Sequence, residues 1–145
     1  TGVDAYPISK EEFTSLNFVQ ELNAVSEKNI FDDMFKSEWD KKIALDPNFF
    51  LTKRKQYFQE ITDKNKFHLI YFDAFGYPVQ PELWSDSIFK KMYDALLPNG
   101  VLVTYACRTV IKNAMLNAGF SIEKLKGAPG KREILRARKN IPNII

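Results

Sequence analysis

The sequence holds little of what most enzymatic chemistry relies on. Its 145 residues include one cysteine, Cys107, and one histidine, His68. A single thiol excludes an internal disulfide and a cysteine-rich metal centre, and a single imidazole argues against a histidine-held metal. No apolar run approaches the roughly 20 residues that a membrane-spanning helix needs. The opening TGVDAYPISKEE has neither a basic leader nor an apolar core, so it does not read as a signal peptide, and a cytoplasmic protein is the expectation. Six glycines occur, at 2, 76, 100, 119, 127 and 130, and none falls in a strand–Gly-x-Gly–helix setting. The net charge of +3 is too small by itself to imply nucleic acid.

What is present points to a folded domain. The chain is 45% hydrophobic, so it can bury a core and is not a disordered segment. Charge is unevenly spread: seven of the sixteen residues from Lys124 to Lys139 are Lys or Arg, against one acid, Glu133. That is a local basic patch.

Periodicity and punctuation give the order of elements. Gly2 to Tyr6 fits a strand end. Ser9 with Glu12 three residues later fits a capping box, which starts a helix near Lys10. The mixed pattern from Phe18 to Lys42 reads as one or two amphipathic helices, Asp46-Pro47-Asn48 as a turn, Phe49 to Lys53 as a short strand, and Tyr57 to Thr62 as a helical turn. Phe67 to Phe72, FHLIYF, is the most apolar strand candidate, as expected of a central parallel strand buried on both faces. A helix over Ser85–Leu97, a turn at Pro98-Asn99-Gly100 and a strand over Val101–Tyr105 follow. A helix over Thr109–Asn117 stops at Gly119. Phe120–Lys126 and Glu133–Arg138 read as a final hairpin. Alternating strands and helices predict an α/β fold with a mainly parallel sheet and an antiparallel C-terminal hairpin. Ligands in such sheets bind beyond the carboxyl ends of the strands. Asp73 and Asp4 both fall there.

Five segments carry a resemblance. Asp73-Ala-Phe-x5-Pro81-x-x-Trp84-Ser85 resembles the D-x-F-x-P-x-x-x-P-x-x-W motif of the methyltransferase domain of MnmC and its monofunctional relatives. Leu97-Pro98-x-Gly100-x-Leu102-x-Thr104-Tyr105 is similar to that family's P-G-G-x-x-x-T-Y/F. Leu116-x-x-Ala118-Gly119-Phe120 matches L-x-x-A-G-F, Gly127-x-x-Gly130-Lys131-Arg132-Glu133-Ile134-Leu135 resembles G-x-G-x-K-R-E-M-L, and Asp4-Ala5-Tyr6-Pro7-Ile8-Ser9 resembles E-x-Y/F-P-L-S/T. The five run in order from residue 4 to residue 135.

The resemblance implies a Rossmann-like class I fold that uses S-adenosylmethionine to methylate the aminomethyl nitrogen of a wobble uridine in tRNA. Some members carry an FAD-dependent oxidase domain, fused or separate. It also implies a first strand and a glycine-rich turn that this sequence does not supply. Residues 1–145 are therefore expected to be the C-terminal two thirds of one catalytic domain, a stretch that should bind cofactor poorly by itself.

The resemblance also assigns roles. Asp73 is the candidate catalytic carboxylate at the methyl's edge, where it also meets the cofactor; its plain alternative is a helix cap or loop-closing acid. Asp4, with Ala5 beside it, is the candidate partner of the cofactor's ribose hydroxyls, against an ordinary turn. Relatives often carry an acid after the next strand. Here Lys55, Gln56 and Tyr57 stand instead, and either Gln56 or Tyr57 would meet the adenine. Phe75 and Trp84 are candidate walls of a slot for the uracil ring or the cofactor, against core residues. Lys131, Arg132 and Glu133, with Lys124, Lys126, Arg136, Arg138 and Arg108, are candidates for tRNA phosphates or for holding the loop, against a solvated edge. Cys107 reads as a packed small residue and His68 as a strand residue. Two other functions remain open on the sequence: methylation of a different amine, and a non-catalytic RNA-binding or scaffold domain.

Overall fold

A computed structural model describes residues 1–130 and 132–141. The chain divides into two units, Thr1–Glu60 and Ile61–Ile145.

The first unit is built on a three-stranded sheet. β1 (Gly2–Asp4) pairs in parallel with β3 (Phe49–Lys55), and β2 (Lys42–Asp46) pairs antiparallel on β3's other side. Ser9 caps α1 (Lys10–Thr14) as its sequence predicts: its Oγ accepts from Glu12 N at 3.1 Å and its own N donates to the Glu12 carboxylate at 2.7 Å. α2 (Phe18–Glu21) and α3 (Lys28–Lys36) follow. Rings bind these helices together, with Phe13 stacked on Phe31 and Phe35 at centroid distances of 4.9 and 3.9 Å. Val19 is the only buried apolar side chain among the described residues of this unit. β2 is a correction to the sequence reading, which ran helix up to Lys42. Ile43 and Leu45 are partly covered while their neighbours are exposed, a two-residue period too short to announce itself in the sequence.

The second unit holds the core. Its four strands lie in the order β4 (Phe67–Tyr71), β5 (Leu96–Thr104), β7 (Glu133–Arg138), β6 (Ser121–Lys126). β4 and β5 are parallel; β5–β7 and β6–β7 are antiparallel. Helices α4 (Asp86–Ala95) and α5 (Thr109–Asn117) bury Ile88, Phe89, Met92, Ile111 and Met115. Both sheets are mixed, and the class is α/β.

Two expectations fail here. β4 is not buried on both faces: it ends the strand order of its unit, and Leu69 and Tyr71 are 44% and 78% exposed. Only the opposite face, through Phe72, enters the core. Apolarity alone cannot tell an edge strand from a central one. β5 also starts five residues before its predicted start, at Leu96, because Pro98-Asn99-Gly100 is an irregularity within the strand rather than a turn before it. Asn99 N donates to Lys139 O at 2.8 Å and Lys139 N to Gly100 O at 3.0 Å, so the end of β7 claims this segment. Asn99 takes a left-handed conformation, φ 64°, and a side chain at Gly100 would meet Leu97 O at 2.7 Å. Gly119, at φ 104°, closes α5 as expected, with the Tyr93 ring where a side chain would stand.

Lys139 stitches the sheet to α4. Its Nζ donates to Leu96 O at 2.7 Å and to Asn65 Oδ1 at 2.9 Å and lies 5.0 Å from the Tyr93 ring centroid. Lys139→Met keeps the aliphatic stem and loses both bonds, so we expect a loss of about 1 kcal/mol in urea unfolding. An unchanged urea midpoint would show that the stitch contributes nothing.

Candidate functional site

In the second unit the strand's two-residue alternation continues past the end of β4. Phe72 is buried, Asp73 exposed, Ala74 buried and Phe75 exposed (3% and 69% at the two rings). Phe72 N still pairs with Val103 O at 2.9 Å. The carboxylate of Asp73 and the ring of Phe75 therefore both face outward at the carboxyl end of β4, where the sequence reading expected them. The chain then turns, with Val79 N donating to Gly76 O at 2.8 Å.

Two aromatic side chains hold this loop from behind. Tyr105, just past β5, donates its Oη to Ala74 O at 2.7 Å. Trp84 donates Nε1 to Phe75 O at 2.8 Å. Trp84 is 1% exposed, and the rings of Phe72, Phe89 and Tyr105 surround it at centroid distances of 5.3, 6.3 and 6.0 Å. So enclosed, Trp84 offers a base no open face, which corrects its assignment as a wall for stacking, although it still borders the groove beside the loop. The sequence alone does not tie Tyr105 to this loop. A Tyr closing a strand looks like any core aromatic until its hydroxyl partner is seen.

The Tyr105 phenol is pushed above its ordinary value, first by burial and then by the negative charge of Asp73. Burial, and then the Glu133 carboxylate, push up the Cys107 thiol, which Lys112 and Lys124 partly offset. Its Sγ donates to Glu133 O at 3.4 Å. Cys107 is thus a packed thiol that stays protonated at neutral pH. Beside the loop lies a groove of about 610 Å³ lined by Tyr77, Pro81, Ser85, Ser87, Val110 and Asn113, with the Arg108 guanidinium 5.7 Å from the Tyr77 ring centroid. No spacing in the sequence joins these residues; α4 and α5 do.

In the first unit, the parallel pairing of Asp4 with Lys55 puts the carboxyl ends of β1 and β3 at one edge. Asp4, Ala5, Gln56 and Tyr57 are thereby brought together. Asp4 is exposed, and its Oδ1 accepts from Tyr6 N at 2.9 Å. Tyr57 is half-exposed, Gln56 partly covered, and the hydroxyls of Tyr6 and Tyr57 lie 3.1 Å apart. That bond raises the Tyr6 phenol. Tyr6 is a second aromatic that sequence reasoning did not count among site residues.

The C-terminal hairpin does not form one basic surface. Strand alternation sends Arg136 and Arg138 to one face and Lys124 and Lys126 to the other. Lys124 is paired with Glu133 at 2.9 Å and Arg136 with Glu123 at 2.6 Å. Glu133 therefore pairs with Lys124 across a hairpin that the β6–β7 ladder holds. Arg132 is exposed, its carbonyl accepting from Gly127 N at 3.2 Å; Lys131 lies outside the described residues. His68 is an exposed strand residue.

A family model described as S-adenosyl-L-methionine-dependent methyltransferase matches residues 48–140. The chain is 36% identical over 72 residues to a protein of a Psychrobacter species and 29% identical over 69 residues to one of Aeromonas hydrophila. Both are named tRNA 5-methylaminomethyl-2-thiouridine biosynthesis bifunctional protein MnmC. These matches cover 50% and 48% of this chain and about a tenth of each relative. A possible exported protein of Bordetella parapertussis shares the fold at a TM-score of 0.50 and 12% identity, over 62% of this chain and 44% of its own. The first unit's donor set fits the nucleoside part of such a cofactor. An exposed carboxylate suits ribose hydroxyls, and the exposed Tyr57 ring beside it suits an adenine.

Asp73→Asn removes the charge that acts on Tyr105 and leaves the burial. The Tyr105 phenol should then titrate lower than in the parent but still above the ordinary value of about 10. Ultraviolet difference titration against Tyr105→Phe measures this; an unmoved Tyr105 would contradict their proximity. With its folded value raised, the Tyr105 contribution to stability is complete below pH about 10 and is lost as pH rises through the folded value.

Proposed function

Because the chain belongs to the S-adenosyl-L-methionine-dependent methyltransferase family, we propose that it methylates the exocyclic aminomethyl nitrogen of a wobble uridine in tRNA. The observation that carries this reading is the pair Asp73 and Phe75, turned outward together on a braced loop at the carboxyl end of β4. The names of the relatives support the substrate class.

When bound, the cofactor supplies a sulfonium methyl that is already electrophilic. The chain's own residues then have three tasks. Asp4, through its carboxylate, would hold the ribose hydroxyls, with Ala5, Gln56 and Tyr57 beside the adenine. Phe75 would stack on the uracil, since an exposed aromatic face accepts an unstacked base. Asp73 would act on the amine. A primary alkylamine has a pKa of about 10, like that of lysine, and arrives as an ammonium. The carboxylate attracts and orients that ammonium, then accepts or relays its proton, which frees the nitrogen lone pair. Arg132 would meet phosphate at the substrate's rim, and Lys131 is proposed for the same task. Glu133 would accompany Arg132 there, paired with Lys124.

Asp73→Ala in the natural full-length chain should lower methylation of tRNA lacking the wobble methyl by about 100-fold or more, with the fold intact by circular dichroism. A near-parent rate would refute the role of Asp73, and strong activity on a small amine with none on that tRNA would refute the substrate. Separately, Asp4→Ala should weaken S-adenosylmethionine binding about tenfold or more by calorimetry, whereas unchanged affinity would remove Asp4 from the cofactor site.

A further inference from the structure

Asp73 stands between two backbone anchors. Upstream, Phe72 N is tied to Val103 O at 2.9 Å. Downstream, Ala74 O takes the Tyr105 hydroxyl at 2.7 Å. The next carbonyl, Phe75 O, takes Trp84 Nε1 at 2.8 Å. The upstream anchor comes from ordinary strand pairing. The downstream ones come from side chains, so they are features that a substitution can remove without unpairing the sheet.

Each peptide plane is rigid, so a bond to a carbonyl sets the orientation of its whole plane. The Ala74 carbonyl belongs to the plane that follows Ala74, and the Phe72 amide to the plane that precedes Phe72. The dihedrals of Phe72, Asp73 and Ala74 lie between these two planes, and the burial of the Phe72 and Ala74 side chains narrows them, so the anchors and the packing together set the course of the backbone through Asp73. Tyr105 is itself held. It follows directly on β5, and its ring meets the buried Trp84 edge-on at 6.0 Å and 87°. Its hydroxyl is protonated across the neutral range, as any phenol is, so it remains a donor to Ala74 O.

We propose that Tyr105 is a positioning residue, whose hydroxyl holds the Ala74 carbonyl and thereby sets where the Asp73 carboxylate stands relative to the reacting amine. The inference rests on the reading of Asp73 as the group that meets that amine. Trp84 braces Tyr105 and holds the following carbonyl. A ring at position 105 is part of the segment shared with the resembling family; the hydroxyl is what makes this bond. Small displacements of a reacting group carry large rate costs, so the bond is expected to appear in turnover more than in stability.

Tyr105→Phe keeps the ring against Trp84 and removes only the hydroxyl. In the natural full-length chain it should lower kcat on tRNA roughly tenfold, while KM for tRNA and affinity for S-adenosylmethionine stay within about twofold. The double variant with Asp73→Asn should be no slower than Asp73→Asn alone, because Tyr105 acts through Asp73. Parent-like kcat in Tyr105→Phe, when Asp73→Asn is inactive, overturns the positioning role and leaves the Asp73 reading standing. A full additional tenfold loss in the double variant overturns it too, since Tyr105 would then act independently. If Asp73→Asn itself turns over at the parent rate, the underlying reading fails, and with it the role given to Tyr105. A Tyr105→Phe loss confined to KM or to cofactor affinity also refutes the proposal.

Discussion

The second unit depends on the burial of Trp84 with its one polar atom satisfied. A buried indole needs a partner for its N–H, and an unpaired one costs on the order of 1–3 kcal/mol. The carbonyl that answers it, Phe75 O, belongs to the loop that carries Asp73. Core packing and site geometry are therefore one requirement. The rings of Phe72, Phe89 and Tyr105 that enclose Trp84 fix the far side of the same loop, and β4, α4 and β5 deliver them. A loop with Pro78 and Pro81 is already short of freedom; the Trp84 and Tyr105 bonds remove much of the remainder.

Alternation is the second constraint. Extended backbone sends successive side chains to opposite sides, and this holds beyond the last ladder bond of β4. Burying Phe72 and Ala74 is enough to turn Asp73 and Phe75 outward. The same rule has the opposite effect in the C-terminal hairpin. A run that looks uniformly basic in one dimension is divided between two faces, and acids on the neighbouring strand take up Lys124 and Arg136. Exposed pairs of this kind contribute little stability, but they leave fewer free cations than the composition implies.

Much of the fold was legible in the residues. The Ser9–Glu12 box, the stop at Gly119, the β6–β7 hairpin and the acid after FHLIYF each carry a local physical signal, and each stands where that signal put it. The errors share a cause. β2, the early start of β5 and the exposed face of β4 are decided by pairing partners that lie far away in the chain, such as Lys139 for Asn99 and Gly100. Trp84 was misjudged for the same reason: an aromatic next to an acidic loop has the same composition whether it walls a ligand or is enclosed by other rings.

By itself the sequence determined the α/β class, the ordered motifs, and the acid at the strand's end, because alternation, capping and turn chemistry act over a few residues. Only the tertiary structure decided which side each of those residues faces and which partners it meets. It separated the basic run into two faces, made Trp84 a support rather than a wall, and brought a Tyr 32 positions after Asp73 onto the carbonyl beside it. The physical reason is that burial and hydrogen-bond satisfaction are properties of neighbours in space, and adjacency along the chain does not contain them.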